Sequence, residues 1–474
     1  MKEINTDICI IGGGAAGLSL ASGAIQMGAN VVLFEKGKMG GDCLNYGCIP
    51  SKTLLANAKT AFLKKKLCMQ NMPKSKKSLL DFKDVKKNIS EVIDRISPHD
   101  SKERFEKLGV KVINEHARFT GRRQISSHLS KVNYKYAVIA TGTKPFIPKI
   151  PGLSKLPYFT NETIFSLSDL PSHLIIIGGG AIGIELAQAF IRLGSQVSII
   201  ECKSVLANYD PEFSDLIKER LMSEGIKFYE ETLINNLESK NNKIFVQTKK
   251  DKTITGSHLL VSAGRITNTK ELDLEKAGIG VKNGLINTNQ FLQTKNKYVY
   301  AIGDVVTTNR HTNVASAHAS VVLKNILFKF PSKINTKIIP STIYIEPELS
   351  QIGYTKLEAA KEFGSNNIIC VKHNFMTNDR NITDGNLDGL IHLVAKKNGV
   401  LLGATIFGPN AGELIQVCTF AIKQKLKLKA LATLNFPYPS YGEAIKYAAS
   451  SFYTQKIFSD KMRWLVNLRF KLFP

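Results

Sequence analysis

Two cysteines that lie five positions apart, Cys43 and Cys48, are the residues of this chain best suited to carry out chemistry. They stand in the run GGDCLNYGCIPSK at positions 40–52, which also contains Lys52. A thiolate near a helix N-terminus and a lysine has a lowered pKa and donates electrons more readily. We therefore predict that Cys43 and Cys48 form a redox-active disulfide.

The cysteine content favours redox chemistry over the alternatives. A zinc half-site would need a second cysteine or histidine pair at metal-ligand spacing, and the sequence has none, so we predict no metal site. Two ordinary core cysteines are the other alternative. The seven cysteines are odd in number and lie in a large chain, which argues against a framework of structural disulfides. Cys9 alternates with apolar residues, and we expect it in the core.

The elements that must position the cysteines begin with a glycine loop just upstream, formed by Gly12, Gly14 and Gly17. An apolar β-like run precedes this loop and an alanine-rich amphipathic helix follows it, which predicts a βαβ unit. In such units the glycines permit a tight turn, close approach to a pyrophosphate, and close helix packing. Glu35 ends the second β-like run, where a carboxylate can bind ribose hydroxyls. The pattern predicts a dinucleotide site.

A second loop repeats this pattern with Gly178, Gly180 and Gly183, and Glu201 closes its second β-like run. The two loops lie far enough apart in sequence for two separate nucleotide-binding domains. A terminal glutamate suits the free 2′-hydroxyl of NAD and repels a 2′-phosphate. Lys203 lies nearby, so NADP stays open as an alternative. From about Pro340 the pattern changes to short strands with helices among them, which indicates a separate α+β domain.

The redox run and the two glycine loops resemble the class I pyridine nucleotide-disulfide oxidoreductases, the family of dihydrolipoyl dehydrogenase, glutathione reductase and mercuric reductase. The resemblance extends from Asp7 to about Ala449. Several details are most similar to the mercuric reductase-like branch. These are AQAFIRLGSQV at 187–197, NDR at 378–380, AGELIQ at 411–416 and FPY at 436–438.

The resemblance implies an α/β fold with two Rossmann-like domains, one for FAD and one for NAD(P), and an α+β C-terminal dimerisation domain. The implied organisation is an FAD-binding domain at 1–150, an NAD(P)-binding domain at 151–268, a return segment of the FAD domain at 269–338, a dimerisation domain at 339–450 and a basic amphipathic tail at 451–474. Such a chain is expected to form a homodimer.

The resemblance also implies roles for individual residues. Lys52 would lie near the flavin, paired with Glu185, and Asp304 would bind the FAD ribityl and phosphate region. Cys48 would be the flavin-proximal thiolate, and Cys43 would be the thiol that exchanges with the substrate. Further cofactor contacts are implied at Thr141, Gly142, Gly264, Gly303 and Ala317. The implied cofactors are FAD and NADH, with NADPH as the alternative.

One position departs from the family pattern. Disulfide reductases of this family place a general acid/base histidine near the C-terminus and a glutamate that orients it, and both act on the partner subunit's site. Here the glutamate is Glu443, but the histidine is replaced by Tyr438. A phenol with a pKa near 10 is a poor base at neutral pH. Neither His311 nor His373 restores the pattern, and we expect both to be polar surface residues.

The acceptor therefore has several candidates. We predict a disulfide or a metal ion, because mercuric reductases resemble this chain in having tyrosine at that position and metal reduction has less need of a base. Dihydrolipoyl dehydrogenase activity is one alternative, and a membrane-surface NADH oxidoreductase with a quinone-like acceptor is another. A non-enzymatic flavoprotein scaffold is a fourth, which the intact redox run and nucleotide loops disfavour.

The net charge of +25 is carried by lysines scattered through every segment, without a nucleic-acid-binding motif. We therefore predict a small-molecule or small-thiol substrate and no nucleic acid. No stretch reaches 18 uninterrupted apolar residues, so we expect a cytoplasmic protein. In the tail, Phe458, Met462, Leu465 and Leu472 recur at helical spacing around Trp464. This pattern predicts either contact with an anionic membrane surface, such as that of the inner membrane, or packing on the dimer.

Overall fold

The computed structural model of the chain describes residues 1–71 and 81–472, except for the side chains of 68–71 and 455–456. The chain forms two compact units. The first unit comprises Met1–Ala207 and Lys218–Ile334, and the second comprises Asn208–Ile217 and Asn335–Pro474.

The first unit begins with a βαβ arrangement and the helices that carry the cysteines. Its elements up to residue 145 are β1 (Lys2–Ile11), α1 (Ala15–Gln26), β2 (Val31–Phe34), α2 (Gly41–Asn45), α3 (Cys48–Asn71), α4 (Phe82–Ile96), α5 (Lys102–Lys107), β3 (Lys111–Ile113), β4 (Arg118–Gly121), β5 (Gln124–Ser126), β6 (Ser130–Ile139) and β7 (Thr143–Pro145).

A second βαβ arrangement follows, and the chain then returns to the first sheet. These elements are β8 (His173–Ile177), α6 (Ala181–Leu193), β9 (Gln196–Ile200), α7 (Pro211–Ser223), β10 (Lys227–Tyr229), β11 (Ile234–Lys240), β12 (Lys243–Thr248), β13 (Thr253–Gly256), β14 (His258–Val261), β15 (Arg265–Thr267), β16 (Val281–Lys282), β17 (Leu285–Ile286), β18 (Val299–Ala301) and α8 (Thr312–Leu327).

The larger sheet of the first unit is buried on both faces. Its strand order is β3-β2-β1-β6-β5-β4, and β18 pairs with β6. β1 runs parallel to β2 and β6. Successive side chains of a strand point to opposite faces, so Ile8 and Ile10 join one core cluster while Cys9 and Ile11 join another. This is why the strand is apolar at every position from Ile8 to Ile11, as central strands of parallel sheets are.

The second sheet of this unit contains the second glycine loop. Its strand order is β10-β9-β8-β14, all parallel. A separate antiparallel sheet has the strand order β11-β12-β13. Its side chains Leu237, Val246 and Ile254 share one apolar core cluster with side chains of the second sheet. The first unit therefore contains two sheets that each include a parallel βαβ arrangement, as predicted from the repeated βαβ pattern, and the larger sheet adds the antiparallel strands β4 and β5.

The second unit is an α+β arrangement. Its elements are β19 (Ser341–Ile343), β20 (Glu348–Gly353), α9 (Lys356–Phe363), β21 (Ile368–Asn374), α10 (Asp379–Thr383), β22 (Leu390–Lys396), β23 (Leu401–Gly408), α11 (Ala411–Lys423), α12 (Leu428–Ala432), α13 (Glu443–Ile457) and α14 (Asp460–Leu472). The strands form one antiparallel sheet in the order β19-β20-β23-β22-β21.

The core of the second unit lies between this sheet and its helices. Ile391, Leu393 and Ile406 from the strands cluster with Ile415 of α11 and Ile445 of α13. Burial of each such side chain contributes about 1.5–3 kcal/mol. None of the helices in the described part of the chain is long and apolar enough to cross a bilayer.

Candidate redox site

The first glycine loop is shaped by contacts that only glycine allows. Gly12 has φ +113°, and a Cβ placed on it would lie 2.4 Å from the Ala140 carbonyl oxygen. A Cβ on Gly17 would lie 1.9 Å from the Gly12 carbonyl oxygen, so helix α1 can approach β1 only with glycine there. Gly14 differs, because its φ is −87° and the nearest atom to a Cβ would be 3.7 Å away. The protein itself does not require glycine at position 14, which leaves that surface free for a ligand.

In the second loop, too, two glycines have no room for a Cβ and the middle one does. A Cβ on Gly178 would lie 2.5 Å from the Ser262 carbonyl oxygen, and one on Gly183 would lie 2.2 Å from the Gly178 carbonyl oxygen. A Cβ on Gly180 would have no neighbour within 4 Å, and its φ is −78°. In both loops, contacts within the protein require glycine at the first and third positions but not at the middle position.

Each loop is fastened by the glutamate that ends its second strand. Glu35 accepts hydrogen bonds from the backbone N–H groups of Gly13 at 2.6 Å and Gly37 at 2.7 Å. Glu201 accepts them from Gly179 at 2.7 Å and Lys203 at 2.9 Å. Both carboxylates therefore lie at the glycine turn, where a ribose would follow a pyrophosphate bound at the helix N-terminus.

A cavity of about 800 Å³ opens beside the first loop. It is lined by Gly12, Phe34, Glu35, Thr141 and Lys144, among others. Its volume lies within the range of cofactor pockets, and it combines apolar walls with a few placed polar groups. The glycine at position 14, the carboxylate of Glu35 and this cavity together fit a bound dinucleotide.

The two predicted redox cysteines lie on different helices. Cys43 is in α2, and Cys48 is the first residue of α3, with Tyr46 and Gly47 between the helices. Both are half-buried free thiols. The Thr312 hydroxyl, at the start of α8, donates a hydrogen bond to Cys43 Sγ at 3.2 Å and lies 3.5 Å from Cys48 Sγ. The Thr312 hydroxyl therefore lies within hydrogen-bonding distance of both sulfur atoms.

The environment divides the pair into a thiolate and a thiol. The hydrogen bond from the Cys43 thiol is the main cause that lowers the pKa of Cys48, and the Thr312 hydroxyl and the Lys52 ammonium also lower it. Against the opposing cost of burial, these effects together bring the pKa of Cys48 to about 6. The same bond and burial raise the pKa of Cys43. At neutral pH, Cys48 is therefore the thiolate and Cys43 the proton donor that stabilises it.

The other described cysteines lack this activation. Burial raises the pKa of Cys9, which is completely buried in β1. Burial likewise raises the pKa of Cys418 to about 12 in the core of the second unit. The pKa values of Cys202 and Cys370 are also raised, chiefly by burial. Among the cysteines that the structure describes, Cys48 alone has a lowered pKa.

An ion pair lies next to the thiols. Lys52 Nζ is 2.8 Å from Glu185 Oε2, although the two residues come from α3 and α6. The Glu185 side chain is 8% exposed and that of Lys52 is 35% exposed. A half-buried ammonium beside the thiolate can stabilise negative charge that develops there. The structure thus brings together Cys43, Cys48, Lys52 and Glu185.

The residues assigned to the first cofactor lie in the same unit. Asp304 Oδ2 accepts a hydrogen bond from the Thr143 hydroxyl at 2.9 Å. The Gly303 N–H donates to Nδ1 of the buried His318 at 3.1 Å. Thr141 Oγ1 donates to the Asn268 carbonyl at 2.8 Å, and Gly142 follows with φ +62°. Ala317 is half-buried in α8, and Gly264 is exposed with φ +117°.

Arg265 connects the thiol loop to this region. Its guanidinium donates to the Thr143 hydroxyl at 2.7 Å and to the Asn161 side chain at 3.2 Å. It also lies 3.2 Å from Asp42, the residue before Cys43. One side chain therefore fixes the cysteine loop to the segment that contacts Asp304.

The sequence did not reveal Thr312 or His311 as site residues. His311 was expected at the surface, but it is half-buried, and the charges of Asp304, Lys52 and Glu185 act on it. Burial lowers the pKa of His311. The only signal was their position a few residues before the run SAHAS at 316–320, and spacing alone does not show which way the start of α8 faces.

His373 was also expected to be a polar surface residue, and this was wrong. Its side chain is half-buried, with its ring 5.4 Å from that of Tyr447. Burial lowers its pKa. Its place in β21, which is paired along its length with β22, explains the partial burial.

A second cavity, of about 390 Å³, adjoins Cys43. Hydroxyl groups of Ser19, Ser22 and Ser316 line it together with Asp100 and Arg104. Burial raises the pKa of Asp100. Among the described residues that line this cavity, Cys43 is present and Cys48 is not, so a molecule in the cavity would meet Cys43 first.

Tyr438 and Glu443 belong to the second unit. Tyr438 is 72% exposed, and its hydroxyl donates to Asp379 Oδ2 at 2.9 Å. This bond raises the pKa of Tyr438, so the residue stays a neutral phenol at physiological pH. Glu443 accepts hydrogen bonds from the Ser440 N–H at 3.1 Å and the Tyr447 hydroxyl at 3.4 Å. The carboxylate fixes its own helix start and does not bond to Tyr438.

Two family models match the sequence. One, described as pyridine nucleotide-disulphide oxidoreductase, matches residues 6–320. The other, described as the dimerisation domain of the same proteins, matches residues 339–449.

Several characterised proteins are similar over almost the whole chain. Mercuric reductase from Lysinibacillus sphaericus is 31% identical over 95% of this chain and 83% of its own length. Dihydrolipoyl dehydrogenase from Geobacillus stearothermophilus is 30% identical over 94% of this chain and 96% of its own length.

Two solved structures share the fold. One is a Cu(II) complex of the HOCl-induced flavoprotein disulfide reductase RclA from Escherichia coli, with a TM-score of 0.84 and 25% identity over 94% of this chain and 99% of that chain. The other is LpdA from Mycobacterium tuberculosis, with a TM-score of 0.86 and 22% identity over the same shares of each chain. The predicted fold class is thereby confirmed.

Proposed function

The chain belongs to the pyridine nucleotide-disulphide oxidoreductase family, as its redox run and glycine loops predicted, and from this premise we propose that it is an NADH-dependent reductase whose Cys43–Cys48 pair reduces a small disulfide or a metal ion. Enzymes of this family use FAD and a pyridine nucleotide. A bound FAD would supply the two-electron chemistry that links hydride from the nicotinamide to the cysteine disulfide. The observation that carries the proposal is the division of the pair into a Cys48 thiolate and a Cys43 thiol.

The chain's own residues supply the rest of the chemistry. Lys52, held by Glu185, would stabilise the electron-rich Cys48 sulfur. Cys43, facing the 390 Å³ cavity, would pass its proton along the shared hydrogen bond to Cys48 and attack a bound disulfide as a thiolate. The proton would then move to the departing thiolate, which leaves Cys43 in a mixed disulfide and Cys48 as a thiolate again. Cys48 would then displace the second thiol and restore the Cys43–Cys48 disulfide, so that the acceptor gains the two electrons that the pair loses. Thr312 would keep both sulfur atoms within reach of each other throughout.

We propose NADH as the electron donor on the basis of Glu201. Its carboxylate is fixed at the glycine turn by two backbone N–H groups, so its charge stays where the ribose of a bound dinucleotide would lie. A 2′-phosphate there would meet this fixed negative charge, whereas a 2′-hydroxyl could donate a hydrogen bond to it. Lys203, the nearest cation in sequence, is bonded there through its backbone N–H.

The choice of acceptor rests on Tyr438. Dithiol–disulfide exchange needs a group that protonates the leaving thiolate, and a phenol whose pKa is raised serves poorly as the returning base. A metal ion bound by the two thiols needs no such group, because its reduction leaves no thiolate product to protonate. We therefore place a metal ion before a disulfide, in keeping with the mercuric reductase relatives. Cu(II) is a further candidate, because the RclA structure contains it.

The experiment is an anaerobic titration of the purified FAD-loaded protein with NADH and then with NADPH. A long-wavelength thiolate–flavin absorption band is expected with NADH, and Cys48→Ser should abolish it. Reoxidation is then followed after adding Hg(II), Cu(II), glutathione disulfide or lipoamide. Hg(II) or Cu(II) should restore the oxidised spectrum at least tenfold faster than either disulfide.

The Cys43→Ser variant separates the possible failures. Cys43→Ser should keep the band but lose turnover, because the exchange thiol alone is removed. If NADH reduces the flavin without the band, and Cys43→Ser turns over as fast as the unchanged protein, the cysteine pair is outside the electron path. A quinone-like acceptor would then replace the disulfide or metal ion.

A further inference from the structure

The last helix of the chain exposes an unusual amount of apolar surface. No residue of α14 is buried. Six of its seven large apolar side chains are 40–62% exposed, namely Met462, Trp464, Leu465, Val466, Phe470 and Leu472, and the seventh, Leu468, is half-buried. Ile457 and Phe458, just before the helix, are 55% and 64% exposed and extend the same surface. A contiguous exposed apolar segment of this kind marks an interaction site.

The charges of α14 define what can cover this surface. The helix carries four basic side chains, namely Lys461, Arg463, Arg469 and Lys471, and one acidic one, Asp460. At 100° per residue, Asp460, Arg463, Asn467 and Lys471 fall on one narrow polar stripe. Most apolar side chains fall on the remaining face, with Lys461 and Arg469 among them. Long basic side chains can extend from such a face towards lipid headgroups while their stems stay in apolar surroundings.

From this arrangement we propose that α14 docks in the surface of an anionic lipid bilayer and lies parallel to it. Thirteen residues make a helix of about 20 Å, which is too short to span a hydrocarbon core of about 30 Å. Basic residues beside Trp and Phe on one helix are typical of helices that lie in the interface. The chain's net charge of +25 adds a long-range attraction to the same surface. A second copy of α14 fits less well, because it would bring four more cations against these four.

The single tryptophan of the chain provides the measurement. Trp464 is the only tryptophan, so its emission reports on α14 without interference from other indoles. The FAD-loaded full-length protein is mixed with vesicles of phosphatidylglycerol or of phosphatidylcholine. A blue shift and co-sedimentation are expected with phosphatidylglycerol, weakening as salt is added, and neither is expected with phosphatidylcholine.

A charge-matched pair of variants localises the binding to α14. The tail variant changes Lys461, Arg463, Arg469 and Lys471 to Gln. The control changes four exposed lysines at β11–β12 and the turn after them to Gln, namely Lys240, Lys243, Lys249 and Lys250. Each basic side chain at an anionic surface favours binding roughly fivefold, so the tail variant should bind roughly 600-fold more weakly while the control changes little.

Three results would overturn the proposal. The first is no emission shift with phosphatidylglycerol vesicles. The second is an equal loss of binding in the tail and control variants, which would assign binding to the net charge alone. The third is a shift that grows with protein concentration without vesicles, which would identify a second copy as the occupant. Tryptophan emission and co-sedimentation do not depend on turnover. The membrane proposal can therefore fail or succeed independently of the proposed reaction.

Discussion

At the scale of single residues, the structure gives two cysteines, Cys43 and Cys48, different pKa values. Cys43 and Cys48 share one hydrogen bond, and this bond places the negative charge on Cys48 and the proton on Cys43. Thr312 supports the pair from α8, and Lys52 adds a positive charge. The asymmetry matters because only a thiolate acts as nucleophile or electron donor, and because the exchange thiol must stay available to the substrate.

Removing the Cys43 donor should raise the pKa of Cys48. A hydrogen bond to a charged group contributes about 1.5–3 kcal/mol, so Cys43→Ala should raise this pKa by roughly one to two units. Cys43→Ser keeps an O–H donor and should raise it less. The rate of Cys48 alkylation in the reduced protein, followed by peptide mass spectrometry against pH, measures the shift. An unchanged profile in Cys43→Ala would mean that another group holds the thiolate.

A second prediction concerns Tyr438. Because its pKa is raised by the bond to Asp379, turnover of a disulfide should show no acid limb from this residue between pH 5 and pH 8. Tyr438→His introduces an imidazole with an ordinary pKa near 6.5 beside the same carboxylate. We expect disulfide turnover to rise roughly 10²-fold or more, with a new limb in the kcat profile near that pKa. Tyr438→Phe is the control, and it should leave disulfide turnover close to that of the unchanged protein.

The sequence predicted the site residues that belong to one local motif. It did not predict the residues that reach the site from segments distant in sequence. The cysteine run named Cys43, Cys48 and Lys52, and family resemblance supplied Glu185, which lies 2.8 Å from Lys52 despite the distance in sequence. Thr312 was missed because no local spacing shows that the start of α8 reaches both sulfur atoms. His311 was assigned to the surface for the same reason, since burial is a property of the folded neighbourhood.

At the scale of elements, each nucleotide loop divides its glycines between two tasks. Gly12 and Gly17 let α1 approach β1, and Gly178 and Gly183 do the same for α6 and β8. The middle glycines have ordinary negative φ and open space. Packing therefore explains the outer glycines, and a ligand close to the backbone explains the middle ones.

Alanine substitutions should separate these tasks. Gly14→Ala should leave the melting temperature of the cofactor-free protein within about 2 °C, because its Cβ has room, yet lower the FAD content several-fold. Gly17→Ala should destabilise that protein by several kcal/mol, because its Cβ would meet backbone at 1.9 Å. Gly180→Ala should raise the KM for NADH while FAD content stays normal. Equal melting temperatures for Gly14→Ala and Gly17→Ala would contradict the division.

The order of the strands shows what sequence patterns leave out. Both βαβ arrangements could be predicted, because apolar runs, glycine loops and amphipathic helices are local. The pairing of β18 with β6 in the first sheet could not be predicted from these patterns, because all strands of the second sheet lie between β6 and β18 in the sequence. The antiparallel sheet β11-β12-β13 was also missed, because its strands are short and only their inward side chains are apolar.

At the scale of the whole molecule, the chain combines a first unit that holds the thiols with a second unit that matches a dimerisation domain. Tyr438 and Glu443 lie in the second unit, whereas Cys43 and Cys48 lie in the first. In the family pattern, these two sets meet across a twofold dimer. We expect the same here, so that each site is assembled from two chains.

Mixing two kinds of chain tests this arrangement. A chain carrying both Cys43→Ser and Tyr438→His has no working thiol pair and should be inactive. When it is mixed with unchanged chains under conditions that exchange subunits, roughly a quarter of the sites should combine an intact pair with the introduced imidazole. Disulfide turnover should then exceed that of the unchanged protein alone. No gain on mixing, with exchange shown by native mass spectrometry, would place both groups in one chain.

The burial of Cys9 and Cys418 has a consequence for survival under oxidants. Peroxides and similar oxidants attack thiolates in preference to neutral thiols. Because the pKa of Cys48 is about 6 and those of Cys9 and Cys418 are raised, oxidation should begin at Cys48 and spare the two core positions. A sulfenic acid on Cys48 would have Cys43 next to it and would condense to the disulfide, which the enzyme's own electron donor can reduce. Oxidative injury at this position would therefore be repaired by the turnover proposed above.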